Sequence, residues 1–217
     1  GADGLIKINA HEYFDYEVDY YNSDASKSFC GNGGRCAAAF ARSINAPNQQ
    51  HVFLGFDGPH QYSFQEDQVK ISMRNVDEIV YNLNDMEIYT GSPHYIQLVD
   101  DLNTFPVFEN GRALRYSEDY KKDGINVNFV QRLQSDSIRI RTYGRGVENE
   151  TLACGTGVTA AAIFHSVREG LMGKQLIHAK AEGGDLYVEF NRVADQQFEE
   201  IFLIGPAELV FVGTTKL

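Results

Sequence analysis

The chain carries Cys30-Gly31-Asn32-Gly33-Gly34-Arg35-Cys36-Ala37-Ala38-Ala39-Phe40, which returns further on as Cys154-Gly155-Thr156-Gly157-Val158-Thr159-Ala160-Ala161-Ala162-Ile163-Phe164. Each copy is a cysteine, a Gly-x-Gly and an alanine-rich run with helical character. Each copy therefore predicts a thiol at the N-terminus of a helix. The repetition predicts two similar halves, with one thiol supplied by each.

Short alternating apolar segments surround both helices. The helical pattern predicts Gly33–Arg42, Val107–Arg115 and Gly157–Arg168. Glu182-Gly183-Gly184-Asp185 is typical of a hairpin turn. The predicted strands are Leu5–Asn9, Tyr16–Asn22, His51–Phe56, Val69–Met73, His94–Val99, Ile125–Gln131, Ile138–Tyr143, Gln175–Lys180, Leu186–Phe190, Ile201–Ile204 and Glu208–Val212.

Many antiparallel strands with two similar helices predict an α+β fold rather than a Rossmann sheet. We expect two pseudo-symmetric halves, each a mostly antiparallel sheet wrapped around a central helix. The N-terminal half is predicted to comprise residues 1–75 plus 205–217, and the C-terminal half residues 76–204. The chain begins with Gly1 directly before a predicted strand, so we also expect that an N-terminal segment is missing.

The composition argues against a nucleic-acid-binding protein, a membrane-spanning protein and a zinc protein. The 217 residues carry a net charge of −11, which argues against nucleic acid or an anionic membrane as partner. No apolar run approaches the roughly 20 residues that span a bilayer. Three cysteines form no evident disulfide framework and lack zinc spacing, so we expect a cytoplasmic protein without a metal.

The two predicted thiols suit proton transfer at a carbon next to a carboxylate. A helix N-terminus stabilises a thiolate, and its N–H groups bind anions. Two such ends facing each other could hold one α-carboxylate with a thiol on each side, which suits stereoinversion. A cysteine before an alanine-rich helix is also often a small buried hydrophobe. Cys36, which aligns with Ala160, is predicted to be such a core residue.

The chain resembles the diaminopimelate epimerase family. The similar blocks occur in the family's order and cover almost the whole chain. They are Gly1-Ala2-Asp3-Gly4-Leu5-Ile6, Asn22-Ser23-Asp24-Ala25-Ser26, Gly91-Ser92-Pro93-His94, Gly124-Ile125-Asn126-Val127, Arg145-Gly146-Val147-Glu148 and Glu150-Thr151-Leu152-Ala153-Cys154-Gly155-Thr156-Gly157, besides the first cysteine motif.

The resemblance implies a cofactor-independent isomerase that interconverts LL- and meso-diaminopimelate in lysine and peptidoglycan precursor synthesis. It implies that Cys30 and Cys154 exchange the roles of base and acid in a cleft between the halves, with His94 beside Cys30. It also implies that Ala207–Val212 returns as a strand to the N-terminal half, and that the protein is a homodimer. The implied substrate-binding residues are Gly31, Asn32, Gly155 and Thr156 at the reacting carboxylate, and Asn22, Asn126 and Arg145 at the distal end.

The chain departs from the family's pattern at several positions. The family's N-terminal His-Gly-x-Gly-Asn-Asp-Phe block is absent, Gly144 replaces a glutamate, Ser92 replaces an asparagine and Ala25 replaces a glycine. Glu148 or Glu150 is a candidate to supply the lost carboxylate. Two alternatives therefore stay open: a catalytically impaired or truncated member that binds an amino acid, and an epimerase or racemase of the same fold with another amino-acid substrate.

The implied site residues have structural alternatives too. Arg145 in its glycine-rich turn could be an exposed loop charge, and His94 an ordinary strand histidine. Asn22 and Asn126 could simply cap or turn the chain.

Overall fold

The alanine-rich segment after each cysteine folds as a helix, and each helix belongs to its own unit. The computed structural model describes residues 4–22 and 25–214. The first unit spans Gly1–Ile71 with Gly205–Leu217, and the second spans Ser72–Ile204. Together they form the α+β fold that the sequence predicts.

The first unit is a five-stranded sheet with one helix. Its elements are β1 (Gly4–Asn9), β2 (Tyr16–Asn22), α1 (Gly31–Ser43), β3 (Val52–Gly55), β4 (Gly58–Gln65) and β5 (Gln68–Ser72). The strands lie in chain order, and all pairs are antiparallel except β2 with β3. Alternation along the strands turns Tyr16, Phe53 and Tyr62 into the core, where Tyr16 and Phe53 stack with centroids 5.7 Å apart.

Within residues 4–22 and 25–214, the sheet of the first unit covers one face of α1. Its glycines allow the close approach: a Cβ on Gly34 would lie 3.0 Å from Ile71 Cδ1 and 3.4 Å from Phe53 Cζ. Phe40 of α1 and Ile44, the residue that follows the helix, are 48% and 51% exposed. The first unit therefore packs its sheet against one side of its helix.

The second unit is larger. Its elements are β6 (Ile79–Asn82), β7 (Asp85–Tyr89), β8 (Pro93–Leu98), α2 (Val107–Arg115), β9 (Asn126–Gln134), β10 (Ser137–Gly144), β11 (Asn149–Thr151), α3 (Gly155–Glu169), β12 (Gly173–Ala181), β13 (Gly184–Ala194) and β14 (Gln197–Pro206). Its sheet runs β14-β13-β12-β10-β9-β8-β7-β6, with β11 beside β10. The pairs β8–β9 and β10–β12 are parallel, and the other registered pairs are antiparallel.

The helix α3 is central in this unit. Every residue from Gly155 to Ser166 is buried, and the helix contacts β7, β8, β9, β10, β12 and β13. Gly170 ends it in the left-handed conformation, with φ of 66°. The shorter α2 covers the outside of β9 and β10, where Val107 joins a core with Phe129 and Tyr143.

Most of the predicted elements are confirmed. The three helices and ten of the eleven predicted strands have counterparts, and the turn at Glu182-Gly183 joins β12 to β13 with Ala181 opposite Gly184. The sequence missed β4, β6, β7 and β11, which are short or rich in polar residues.

The predicted strand Glu208–Val212, and with it the returning strand Ala207–Val212, is wrong. Residues 207–214 follow Pro206 in no regular element, and Val210 and Phe211 are 87% and 81% exposed. A β-prone sequence forms a strand only where another strand supplies hydrogen bonds. No such pairing is found for this segment among the described residues. No helix in the described part of the chain combines the length and apolar character that crossing a membrane requires.

Candidate active site

Cys30 and Cys154 occupy the same place on their helices. Each is the N-cap residue, with φ/ψ of −126°/115° at Cys30 and −113°/111° at Cys154. The backbone N–H groups of Gly34 and Val158 donate to the carbonyls of Cys30 and Cys154, both at 2.8 Å. The N–H groups of the first turn before these bonds point out of each helix end, where they can bind an anion.

A glycine three residues after each cysteine lets the helix end approach the sheet. A Cβ on Gly33 would lie 2.9 Å from Tyr20 Cδ2 and 3.3 Å from Cys30 Cβ. A Cβ on Gly157 would lie 2.5 Å from Asn128 Oδ1 and again 3.3 Å from the Cβ of its cysteine. The second glycine of each Gly-x-Gly therefore has the same role, which is to leave room for a strand side chain beside the cysteine.

The surroundings of the two sulfurs differ. Cys30 Sγ accepts a hydrogen bond from Gly33 N at 3.3 Å, whereas Cys154 Sγ lies 3.4 Å from Thr156 Oγ1. Arg35 is buried on α1 and donates from Nε to Pro206 O at 3.5 Å. Burial lowers the pKa of Arg35, opposed by its attraction to Cys36 and Cys30. A buried positive charge thus acts on Cys30, while the aligned position near Cys154 is Thr159.

His94 lies under the N-terminus of α3 and is fully buried. Its Nε2 is 2.9 Å from both Ser92 Oγ and Thr156 Oγ1. Burial, reinforced by the positive charge of Arg145, lowers the pKa of His94 to about 3, so its ring is neutral near pH 7. The expected closeness of His94 to Cys30, a residue of the other unit, stays a prediction.

Asn126 anchors the turn that carries Arg145. Its Oδ1 accepts from Arg145 N at 2.9 Å, and its Nδ2 donates to Ser92 Oγ and Pro93 O, both at 3.1 Å. The Arg145 side chain is exposed and donates from Nη1 to Asp123 O at 3.2 Å. The structure therefore brings Ser92, Asn126 and Arg145 together and leaves the guanidinium open to solvent.

Asn22 closes the loop that leads to Cys30. Its Nδ2 donates to Ser26 O, Ser26 Oγ and Ser28 Oγ at 3.0–3.1 Å. The residues Gly1–Asp3, Ser23 and Asp24 of the family-like blocks lie outside the described residues. The substrate-binding roles of Asn22, Asn126 and Arg145 stay predictions.

The two candidate carboxylates, Glu148 and Glu150, are each paired with an arginine. Glu150 forms a two-pronged pair with Arg141, with one bond of 2.7 Å. Glu148 lies 3.3 Å from Arg115 Nε and accepts from Gly146 N at 3.0 Å. Burial tends to raise the pKa of Glu148, but these hydrogen bonds and the arginine charge hold it below its usual value.

The prediction that Cys36 is a core residue is wrong, because its side chain is exposed. Its aligned partner Ala160 is fully buried. Strands enclose α3 on all sides, whereas α1 is covered on one face only, so aligned positions differ in burial.

The sequence reasoning also missed Asn128, which hydrogen-bonds the His94 ring. A signal existed: Asn126 and Asn128 are two apart on one strand and so lie on the same face. Residues 4–22 and 25–214 contain no group of three or more His, Cys, Asp or Glu side chains placed to hold a metal ion.

Comparison with known proteins gives the family of the chain. The family model described as diaminopimelate epimerase matches residues 86–210. The chain is 43% identical over 216 residues to the diaminopimelate epimerase of Flavobacterium psychrophilum, covering 99% of this chain and 84% of the relative. It is 39% identical over 228 residues to that of Chlorobaculum tepidum, covering all of this chain and 86% of the relative.

Solved structures with low sequence identity share the fold. A phenazine biosynthesis protein of the PhzF family from Bacillus anthracis matches with a TM-score of 0.74 at 12% identity, covering 95% of this chain and 82% of that one. A hydroxyproline epimerase from Agrobacterium vitis matches with a TM-score of 0.70 at 15% identity, covering 95% and 74%. Since the sequence relatives are above 30% identity over nearly the full chain, this protein belongs to the diaminopimelate epimerase family.

Proposed function

We propose that the chain interconverts LL-diaminopimelate and meso-diaminopimelate by moving the α-proton between two thiols. The observation that carries this proposal is the pair of cysteines, Cys30 and Cys154, in the same N-cap conformation on two helices of a chain that belongs to this family.

The reaction begins with one cysteine as thiolate and the other as thiol. The thiolate takes the α-hydrogen as a proton, and the electron pair of the C–H bond stays on the α-carbon and spreads into the carboxylate. The opposite thiol then gives its proton to the other face. The two sulfurs thereby exchange protonation states, nothing is oxidised or reduced, and the reverse direction uses the same steps.

The helix ends stabilise the charge that develops on the carboxylate. We assign this role to the backbone N–H groups of Gly31, Asn32, Gly155 and Thr156, since each lies in the first turn after a cysteine. Arg145, whose guanidinium is exposed beside Asn126, suits the distal carboxylate because its planar fork binds carboxylates with two hydrogen bonds. Asn22 is proposed to bind the distal end from the first unit.

A cytoplasmic homodimer is the form we propose. The odd cysteine count without a disulfide framework favours a reducing compartment, and the family resemblance favours two copies. Sedimentation of the purified protein would settle the number of copies.

A second candidate is a member that binds diaminopimelate without turning it over. Gly144 favours it, because it has no carboxylate, and because Glu148 and Glu150 are both paired with arginines. Such a protein keeps the helix-end carboxylate cradle but loses charge support at Cys154.

Proton NMR of the reduced protein with LL-diaminopimelate in D2O tests the first candidate against the second. We expect deuterium at the α-carbon together with the meso isomer. Cys30→Ala and Cys154→Ala should each lower the rate by at least about 10²-fold. Exposed Cys36 provides a matched control, and Cys36→Ala should keep the original rate.

Saturable binding without α-proton exchange would instead support the second candidate. Exchange with proline or hydroxyproline but not with diaminopimelate would assign the same chemistry to another amino acid. Near-normal turnover in either cysteine variant would refute the two-thiol mechanism.

A further inference from the structure

A ladder of buried polar side chains lies beneath the N-terminus of α3. It consists of Thr142, Asn128, His94 and Thr156, which are at most 6% exposed, and it ends at Cys154 Sγ. Buried polar groups are costly unless each donor meets an acceptor. The direction of each hydrogen bond from Thr142 up to Thr156 can therefore be worked out.

Asn128 sets the direction at the lower end. Its Nδ2 lies 3.0 Å from the backbone carbonyl of Tyr95, which can only accept. Its Oδ1 is 3.0 Å from Thr142 Oγ1, which donates to it. The amide nitrogen therefore also faces His94 Nδ1, at 3.1 Å, and donates to it.

The hydrogen bond from Asn128 fixes which nitrogen of the His94 ring carries the proton. Because Nδ1 accepts and the ring is neutral, the ring proton is on Nε2. Nε2–H then donates to the hydroxyl oxygens 2.9 Å away, of which Thr156 Oγ1 is one and Ser92 Oγ the other. Since Thr156 Oγ1 receives this proton as acceptor, its own O–H is directed to another partner. Two acceptors lie within reach: Cys154 Sγ at 3.4 Å, and Ser92 Oγ at 3.3 Å, which already accepts from Asn126 Nδ2.

We propose that Asn128 and His94 are positioning residues that hold the Thr156 hydroxyl as a hydrogen-bond donor to Cys154 Sγ and so favour the thiolate form of that cysteine. This inference rests on the proposed function only in taking Cys154 as a reacting thiol. A donor to sulfur stabilises the charged form, because hydrogen bonding to one protonation state favours that state.

The ladder belongs to one half of the site. The residue of α1 that aligns with Thr156 is Asn32, and Cys30 Sγ accepts from the backbone N–H of Gly33 instead. The two sulfurs thus receive their hydrogen bonds from different groups. Charged groups near the ladder are Arg145, which acts on His94, and the side chains that line a cavity together with His94, namely Arg74, Asp77, Glu78 and Glu87.

The first test measures the thiolate directly and needs no turnover. Cys30→Ser with Cys36→Ser leaves Cys154 as the only cysteine in the full chain. In this background we would follow alkylation by iodoacetamide against pH. Thr156→Val should raise the midpoint by about one pH unit, since it removes the hydroxyl at constant shape. Thr156→Ser should restore the original midpoint.

The matched control is Thr159→Val on the same helix. Thr159 is equally buried, but its hydroxyl donates to Gly155 O at 3.0 Å and takes no part in the ladder. It should leave the midpoint unchanged. An unchanged midpoint in Thr156→Val, or an equal shift in Thr159→Val, would overturn the proposal.

The second test reads the histidine ring. Nitrogen-15 and carbon-13 NMR of His94 in the original protein should show the Nε2–H tautomer, and Asn128→Asp should convert it to a ring protonated at Nδ1. A ring carrying its proton on Nδ1 in the original protein would also overturn the proposal. Both tests are independent of the D2O assay, so loss of epimerisation with an intact ladder would count against the proposed function alone.

Discussion

At the scale of single residues, two cysteines share a backbone conformation but not an environment. Two-thiol chemistry needs one sulfur charged and the other neutral at the start of each turnover. A buried Arg35 acts on Cys30, while Cys154 is near a neutral histidine and a threonine hydroxyl. The two helix ends are therefore alike in backbone conformation and different in the side chains around each sulfur.

Gly144 gives the first residue-scale prediction. A Cβ there would lie 2.9 Å from Thr151 Cγ2, so a larger side chain needs the methyl group to move. We expect Gly144→Glu combined with Thr151→Ser to raise kcat by about tenfold or more, because a carboxylate near the reacting centre aids proton transfer. Epimerisation followed by NMR is the measurement.

The control for that prediction is Gly144→Gln with Thr151→Ser, which adds the same bulk without a charge. It should not raise kcat. Equal rates in the glutamate and glutamine variants would show that this chain works without a carboxylate at position 144.

His94 gives a prediction about pH. Its pKa is about 3 in the folded protein against 6.5 for the free side chain, so below pH 6.5 the unfolded state binds the extra proton first. Stability therefore falls as the pH drops from 6.5 towards 3, by about 1.4 kcal/mol per pH unit for this proton. The neutral variant His94→Gln should lose this part of the slope.

Urea unfolding between pH 4.5 and 7.5 measures that slope. Exposed His51 supplies the control, and His51→Gln should keep the pH dependence of the original protein. Parallel curves for His94→Gln and the original protein would contradict the buried, neutral state of His94.

At the scale of elements, one motif gives two helices with different surroundings. Both alanine-rich runs were predictable, since a cysteine cap, two glycines and small residues recur together. Their coverage was not predictable, because it depends on how many strands each unit places around its helix. Cys36 shows the consequence: it aligns with buried Ala160 and is nevertheless exposed.

The missed and wrong strands have physical reasons as well. In β4, buried His60 and Tyr62 alternate with polar residues, but Pro59 and two glutamines mask the pattern. The segment 208–212 has the composition of a strand, but no described strand pairs with it. Asn128 was missed because its hydrogen bond to the His94 ring joins residues that are far apart in the sequence. Its spacing from Asn126 was visible in the sequence.

The end of α3 supports a prediction at this scale. Gly170 has φ of 66°, which a side chain adopts only at a cost. Gly170→Ala should therefore lower the unfolding free energy by about 1 kcal/mol, as measured by urea titration. Gly213 has open space around it and no positive φ, so Gly213→Ala should change stability little. Equal losses in both variants would contradict a specific role of Gly170 in ending the helix.

At the scale of the whole molecule, the two units repeat the same motif but differ in how fully they bury their helix. Among the described residues, the helix of the second unit is enclosed, whereas the first unit leaves one face of α1 and residues 208–214 exposed. Apolar side chains at the surface contribute little to folding and favour association. The first unit carries such side chains: Phe40 on α1, Ile44 directly after it, and Val210 and Phe211 after β14.

The exposed segment gives the last prediction. Val210→Ser with Phe211→Ser should change the unfolding free energy by no more than about 0.5 kcal/mol, because neither side chain is packed. The same variant should scatter less light at high concentration, since it removes two exposed apolar groups. Leu203→Ala, at a fully buried position in β14, is the positive control and should cost about 2–5 kcal/mol. If the serine variant instead loses as much stability as the Leu203 control, residues 208–212 pack as a strand in solution, and the original sequence-based expectation for this segment would be restored.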